Sequence, residues 1–450
     1  MAILPDLSTM GTAGFLGVME NMIPGATLDA LCVQFTSQVE RKRKLSAAQL
    51  VSALVFHQLQ PAGTLGTHAR QLHGPAMSEP AHAERRQGMP LGLFEAVMSA
   101  ALQPLAEATR HPQSFYAGRR LVGVDGTQFS VSNTPAIAGR LSKALTRRLR
   151  AAFAKVRLVT LVELGLHNPL AAAVGLGSTG EQTLAAGVWA HVPENALVLM
   201  DRLFGLPLTL WQAQQAWAGR DIAVLARVKA NVKVQVLTQL ADGSAIVEVP
   251  VVNARRPRVD TLRVREIHAS GVTTAGRPFH LRLWTTLLDA QAHPAETLAR
   301  LYRQRWEHET YYHLLKLDIR GSDILASHTV ETALQEMAAL VLATAVIARV
   351  RVAAGLVLDA PPTRVSFLKV LLPTLQLWRM FAWSVGILTP EQQRQLVAVY
   401  LEEIRATALL PARRARSCPR AVRQVMSSWP RKIHQPCFQG RATVFVTRFP

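Results

Sequence analysis

The stretch LYRQRWEHETYYHLLK, residues 301–316, constrains this chain most. It carries a phenol, two cations and a carboxylate at Tyr302, Arg305, Glu309 and Lys316. An α-helix turns about 100° per residue, so from Tyr302 the other three fall at about 300°, 340° and 320°. The four side chains then form one narrow stripe along about four turns. Cations that hold phosphate oxygens, beside a carboxylate that holds a metal ion, suit a phosphate site. An exposed helix with ordinary ion pairs is the plainer reading of the same residues. His308, Glu309 and His313 look like a zinc-protease motif, but the second histidine comes at i+5. It is turned about 140° away, and two ligands of one zinc need i,i+4. Glu307 also lies about 140° from Tyr302, off the stripe.

Two other stretches end an apolar run in an aspartate. In RRLVGVDGTQFSV, residues 119–131, a short strand Leu121–Val124 ends at Asp125, before Gly126 and Thr127. A strand-end carboxylate beside a glycine is a metal-site arrangement, though an Asp-Gly hairpin turn is the plainer reading of this stretch alone. In ALVLMDRLFG, residues 196–205, a strand buried on both faces ends at Asp201, before Arg202. Between them the pattern predicts strands over 153–164 and 169–176, joined by a turn at 165–168. A helix opens at Gly180-Glu181 and runs to about Ala190, with Glu181 favouring its N-terminus through the dipole. A helix over 206–218 and a strand over 222–226 follow. Residues 228–291 alternate as antiparallel β, with turns at Asp242-Gly243, Gly271 and Gly276. Trp284 in that region is either a platform for an unpaired base or a core aromatic.

Residues 1–117 read as helical. Ser46 caps a helix over 47–59 that Pro61 and Gly63 stop, and a second helix carrying His68 and Arg70 starts near Thr64. The basic run Arg41–Lys44 ahead of it is a phosphate contact or a solvated turn. Helices are expected over about 329–354 and within 363–409. The tail from Pro411 is arginine-rich, a flexible arm on DNA or a solubilising end. Apolar content of 49% raises the question of a membrane span. The longest apolar run, Met337–Ala348, is shorter than the roughly 20 residues a bilayer needs. No basic segment precedes an apolar run at the start, so no signal peptide is expected. Three cysteines show no metal spacing or even framework, which fits a reducing cytoplasm. Fifty Lys and Arg against 30 Asp and Glu leave a formal charge of +20. An acidic polymer is the natural partner, nucleic acid first and a membrane surface second.

The spacing Y-x2-R-x3-E-x6-K of residues 302–316 resembles the signature of the insertion-sequence-four family of bacterial DDE transposases. Asp125-Gly126-Thr127 resembles the family's first-aspartate motif. Asp201, Arg202 and Phe204 match its second, Asp-Arg-x-Phe. The resemblance covers most of residues 119–354. It implies an α/β fold: an RNase H-like catalytic core interrupted by an antiparallel β insertion, with an N-terminal helical domain and C-terminal helices. The divisions expected are a DNA-binding domain over 1–117, core over 118–227, insertion over 228–291, core over 292–355, helices over 356–410 and a basic flexible tail over 411–450. Asp125, Asp201 and Glu309 are then the catalytic and metal-holding residues, for Mg²⁺ with Mn²⁺ able to substitute. Tyr302, Arg305, Lys316, Arg202 and Trp284 are then the DNA contacts. The implied activity is cleavage and strand transfer on double-stranded DNA, the element's terminal inverted repeats and a target, by a homodimer in the synaptic complex. The implied place is the cytoplasm, at the nucleoid and away from membranes. Some relatives cut the second strand through a hairpin with a flipped base, for which Trp284 or Trp306 is a candidate. A nuclease without strand transfer and an inactive end-binding remnant are the alternatives.

Overall fold

The computed structural model describes residues 6–36, 45–74, 77–145, 151–253, 256–272, 276–411, 416–417, 438–439 and 443–446. The basic runs 41–44 and 147–150, Arg255 and most of the tail lie outside the described residues. The helices are α1 (Leu7–Met22), α2 (Gly25–Thr36), α3 (Ala47–Leu59), α4 (Leu65–His73), α5 (Glu79–Gln87), α6 (Leu91–Ala101) and α7 (Pro135–Ala138). They continue with α8 (Glu181–Trp189), α9 (Pro207–Ala216), α10 (Ala295–Leu301), α11 (Trp306–His313), α12 (Val330–Val357), α13 (Phe367–Trp383) and α14 (Pro390–Thr407). The strands are β1 (Phe115–Tyr116), β2 (Arg119–Val131), β3 (Lys155–Glu163), β4 (Asn168–Leu176), β5 (Ala196–Met200), β6 (Ile222–Arg227) and β7 (Gln235–Gln239). Then come β8 (Ala245–Asn253), β9 (Arg256–Val272), β10 (Pro278–Thr285), β11 (Ile324–Leu325), β12 (Arg416–Ser417), β13 (Phe438–Gln439) and β14 (Thr443–Val446). They form two compact units, Met1–Ala196 with Trp306–Leu410, and Leu197–Arg305 with Pro411–Pro450.

In the first unit β4, β3 and β2 are antiparallel neighbours, and β11 adds parallel to β2. Val122 faces Glu163 at one end of the β2–β3 ladder and Ser130 faces Lys155 at the other. Helix α12 is the centre of this unit's core. It is apolar all round, as a helix with no solvent face must be, and it packs on α3, α6 and β4. By length and hydropathy it could cross a bilayer, yet 89% of its apolar window is buried. The charges flanking Met337–Ala348 do not end the helix, because each finds a buried partner. Glu336 accepts from the backbone of Ala326 and Ser327 and pairs with Arg320. Arg349 donates to Ala101 O, and Arg351 to Pro362 O and Val365 O. Helix α3 begins where expected. Ser46 accepts from Gln49 N at 3.1 Å while the Gln49 amide oxygen accepts from Ser46 N at 2.7 Å, a reciprocal capping box.

In the second unit the strand order is β5-β6-β10-β9-β8-β7. Two buried charges are built into it. Arg265 pairs with Asp242 and donates to Ser244 Oγ and His293 O. Glu266 accepts from Arg282, His268 and Trp284. Part of the tail expected to be a flexible arm is a strand: β14 pairs with β9, from Thr443 opposite Val272 to Val446 opposite Ala269. The cause is an open edge. The β8 ladder on β9 reaches only to Glu266, opposite Ala245, so the last residues of β9 offer unpaired backbone groups on that side.

Candidate active site

Residues 301–316 are not one regular helix. Helix α10 ends at Leu301, Tyr302–Arg305 is a 3₁₀ turn, α11 follows, and Leu314–Ile319 is a π-helix. A tighter turn before α11 and a wider one after it shift the phase of an ideal 3.6-residue helix. The boundary of the two units falls between Arg305 and Trp306.

In the second unit Tyr302 is buried, and its phenol donates to Met200 O at 3.1 Å. It ties the 3₁₀ turn to the end of β5. Asp201 follows β5 directly and is half-buried. Its Oδ1 accepts from Leu203 N at 2.8 Å and Phe204 N at 3.2 Å. This Asx turn fixes the direction of the carboxylate. Arg202 is exposed and Arg305 half-buried. Trp284 is fully buried, and its indole donates to Glu266 Oε2 at 2.6 Å. It offers no face to a base, so the expected DNA contact there is corrected to a core position. On β10 it lies between β6 and β9, opposite Ala226 and Glu266.

In the first unit the strand carrying Asp125 does not end there. Strand β2 runs on to Val131, because β3 pairs with it continuously past Asp125. Asp125 Oδ1 accepts from Gly126 N at 2.8 Å. Helix α11 packs on β2 and is seated by four side chains. His308 Nε2 meets Thr160 Oγ1 at 2.8 Å, and Thr160 stands opposite Asp125 in the ladder. Tyr312 bonds Thr160 Oγ1 at 3.0 Å and donates to Asp125 O at 2.5 Å. Lys316 Nζ donates to Gln128 O at 2.9 Å and lies 5.1 Å from the Phe129 ring centroid. Glu309 is exposed, one turn before Tyr312. Burial lowers the Lys316 ammonium against the opposing pull of Asp323 and Glu309. Burial, then the Asp125 charge, raises the Tyr312 phenol well above its ordinary value. Gly123 admits the helix, for a Cβ there would stand 2.9 Å from His308 Nδ1.

Tyr312 and Thr160 escaped the sequence reading. Tyr312 sits three residues after Glu309 and four before Lys316, so the helical period already contained it. Thr160 needed the β2–β3 register, which no local pattern specifies. Glu181 is expected only as the acidic first residue of α8; its place beside Gly126 comes from the packing of α8 on β3 and β4. Carboxylate oxygens are the donor chemistry of a hard divalent cation, and Asp125 and Asp201 are each oriented by backbone N–H groups. Among the described residues no group of three or more His, Cys, Asp or Glu is gathered as a metal cluster.

The family model "Transposase DDE domain" matches residues 116–346. "Transposase InsG for insertion sequence element IS4" from Escherichia coli (strain K12) is 25% identical over 313 residues, 67% of this chain and 69% of the relative. "Putative transposase InsZ" from the same organism is 33% identical over 98 residues, 22% of this chain and 33% of that one. Among solved structures, the piggyBac transposase synaptic complex with hairpin DNA is 10% identical over 88% of this chain and 85% of its own, with a TM-score of 0.41.

Proposed function

The chain belongs to the transposase DDE domain family, a family of DNA-cleaving and strand-transferring enzymes, and on that premise we propose that Asp125, Asp201 and Glu309 are its catalytic carboxylates. The observation that supports this most is the seating of α11 on β2. Tyr312 and Lys316 bond the β2 backbone at Asp125 and Gln128, and Glu309 rides on the same helix one turn earlier. The proposal extends to an RNase H-like core with β7 to β10 as its insertion, and to a homodimer acting on the element's terminal repeats and its target.

The three carboxylates would hold divalent cations, magnesium with manganese as a substitute. When bound, such a pair activates an attacking oxygen and stabilises a leaving one. Arg202 and Arg305 grip phosphates by paired N–H groups. Lys316 brings a compact positive charge to the backbone of β2. Tyr302 acts by fixing its turn to β5, and Tyr312 by fixing α11 over Asp125.

The test is cleavage and strand transfer of a labelled duplex carrying the element's end, with a gel shift on the same DNA. Asp125→Asn, Asp201→Asn and Glu309→Gln should each abolish metal-dependent cleavage and keep end binding. Glu309→Gln should bind as well or better, because a carboxylate facing phosphates repels them when no cation intervenes. Wild-type cleavage by any one of the three would remove that residue from the site.

A further inference from the structure

Three buried side chains, His308, Thr160 and Tyr312, lead to the backbone of Asp125, and their protons can be placed one by one. The Tyr312 phenol has one O–H and a carbonyl can only accept, so that proton goes to Asp125 O at 2.5 Å. Between Tyr312 Oη and Thr160 Oγ1, 3.0 Å apart, the proton is then the threonine's. Thr160 has no second proton to give, so across the 2.8 Å to His308 Nε2 the imidazole donates. The order runs from His308 to Thr160, to Tyr312, to the carbonyl of Asp125. The same peptide unit carries it on: its N–H is that of Gly126 and donates to Asp125 Oδ1 at 2.8 Å. All these bonds point one way and end on the carboxylate, and in a buried chain each donor polarises the next. Thr160 stands opposite Asp125 in the β2–β3 ladder, which puts both side chains on one face of the sheet. Gly123 makes room for the first member, since a Cβ there would stand 2.9 Å from His308 Nδ1.

We propose that His308, Thr160 and Tyr312 are positioning residues for the Asp125 carboxylate. They hold the 125–126 peptide by its carbonyl, and the N–H at its other end holds Oδ1 in one orientation for the divalent cation. The inference rests on the reading of Asp125 given above. It gives these bonds a use beyond seating α11, because hydrogen-bonded partners behind a metal-holding carboxylate set how well it binds. The competing role is structural, the same bonds serving only to keep α11 on the sheet.

The experiment is Mn²⁺ binding to the full-length protein by calorimetry, without DNA, with the thermal unfolding midpoint of each variant measured beside it. Tyr312→Phe removes the O–H and keeps the ring, and Thr160→Val removes the hydroxyl and keeps the shape. Each should weaken Mn²⁺ by about tenfold or more. Both break one chain, so the double variant should bind no more weakly than Tyr312→Phe alone, where independent effects would multiply. Thr160→Ser keeps the hydroxyl and should bind as wild type does. If one single variant is unfolded, the other decides. Tyr312→Phe and Thr160→Val binding Mn²⁺ as wild type does, while Asp125→Asn does not, leave only the structural role and overturn the inference, with the Asp125 reading standing. Multiplying losses in the double variant, or Thr160→Ser as weak as Thr160→Val, overturn it as well. Asp125→Asn binding Mn²⁺ normally sinks both.

Discussion

Glu307 is two residues from Glu309 and does a different job. Its carboxylate accepts from His167 Nε2 at 2.8 Å, and His167 is buried with Arg351 Nη1 3.4 Å from its other nitrogen. The pair ties the first turn of α11 to the β3–β4 hairpin. Glu307→Ala leaves a buried donor without this partner and should cost about 1–3 kcal/mol. Glu307→Gln should cost less, because its amide oxygen still accepts. Glu309→Gln, on an exposed side chain, should leave stability unchanged and remove cleavage. Thermal unfolding midpoints set beside cleavage rates separate the two positions, and an unfolding midpoint lowered by Glu309→Gln but not by Glu307→Ala would reverse the assignments. Trp284→Phe makes a second comparison. It removes a donor from buried Glu266 and should destabilise by about 1–3 kcal/mol while leaving DNA affinity alone. A gel shift weakened by this change without any loss of stability would restore Trp284 as a DNA contact. At this scale residue types and spacing single out Glu309 and Asp125 as candidates. They did not disclose the burial of Trp284 and Tyr302, because an aromatic suits a core and a nucleic-acid surface equally well.

Helices α3 and α4 are joined by a histidine pair, His57 Nδ1 at 2.7 Å from His68 Nδ1. One of the two nitrogens must accept, so the contact requires at least one neutral ring. Burial first, then the charges of His68 and Arg86, lowers His57 from 6.5 to about 4, with Glu336 opposing and Arg320 adding to the shift. A histidine depressed on folding binds its proton more readily in the unfolded chain. Its stabilising contribution is therefore whole above pH 6.5 and is lost progressively as pH falls towards about 4. His57→Gln should flatten that part of the stability–pH curve, measured by urea unfolding at intervals of half a pH unit. An unchanged slope would place the acid sensitivity elsewhere. The limits of α3 were legible because capping and stop residues are local signals. The end of β2 was not, because its length is set by pairing with β3. Nor was the sequence of 3₁₀, α and π turns through 302–319, since apolar and charged spacing cannot tell 3.0, 3.6 and wider turns apart over so few residues.

Over the whole chain, texture and contact divide the molecule differently. Residues 1–196 and 306–410 form one unit although far apart in sequence, because α12 packs on α3, α6 and β4. Composition reads segments along the chain and cannot see that closure. The net charge of +20 is legible without any structure and makes the last prediction. A chain this basic should bind duplex DNA largely by releasing counterions from phosphates. The logarithm of affinity then falls linearly with the logarithm of salt, by about 0.9 for each phosphate neutralised. With six to ten such contacts, affinity should drop roughly 10³- to 10⁵-fold between 50 and 200 mM salt. Arg305→Ala should reduce the slope by about one if it neutralises a phosphate. Glu309→Gln, at a proposed catalytic carboxylate rather than a proposed phosphate contact, should leave the slope as it is. Gel shifts of one end duplex over that salt range measure all three proteins together. An affinity insensitive to salt would mean that contacts other than phosphates carry the binding, and an Arg305→Ala slope equal to wild type would take Arg305 off the DNA.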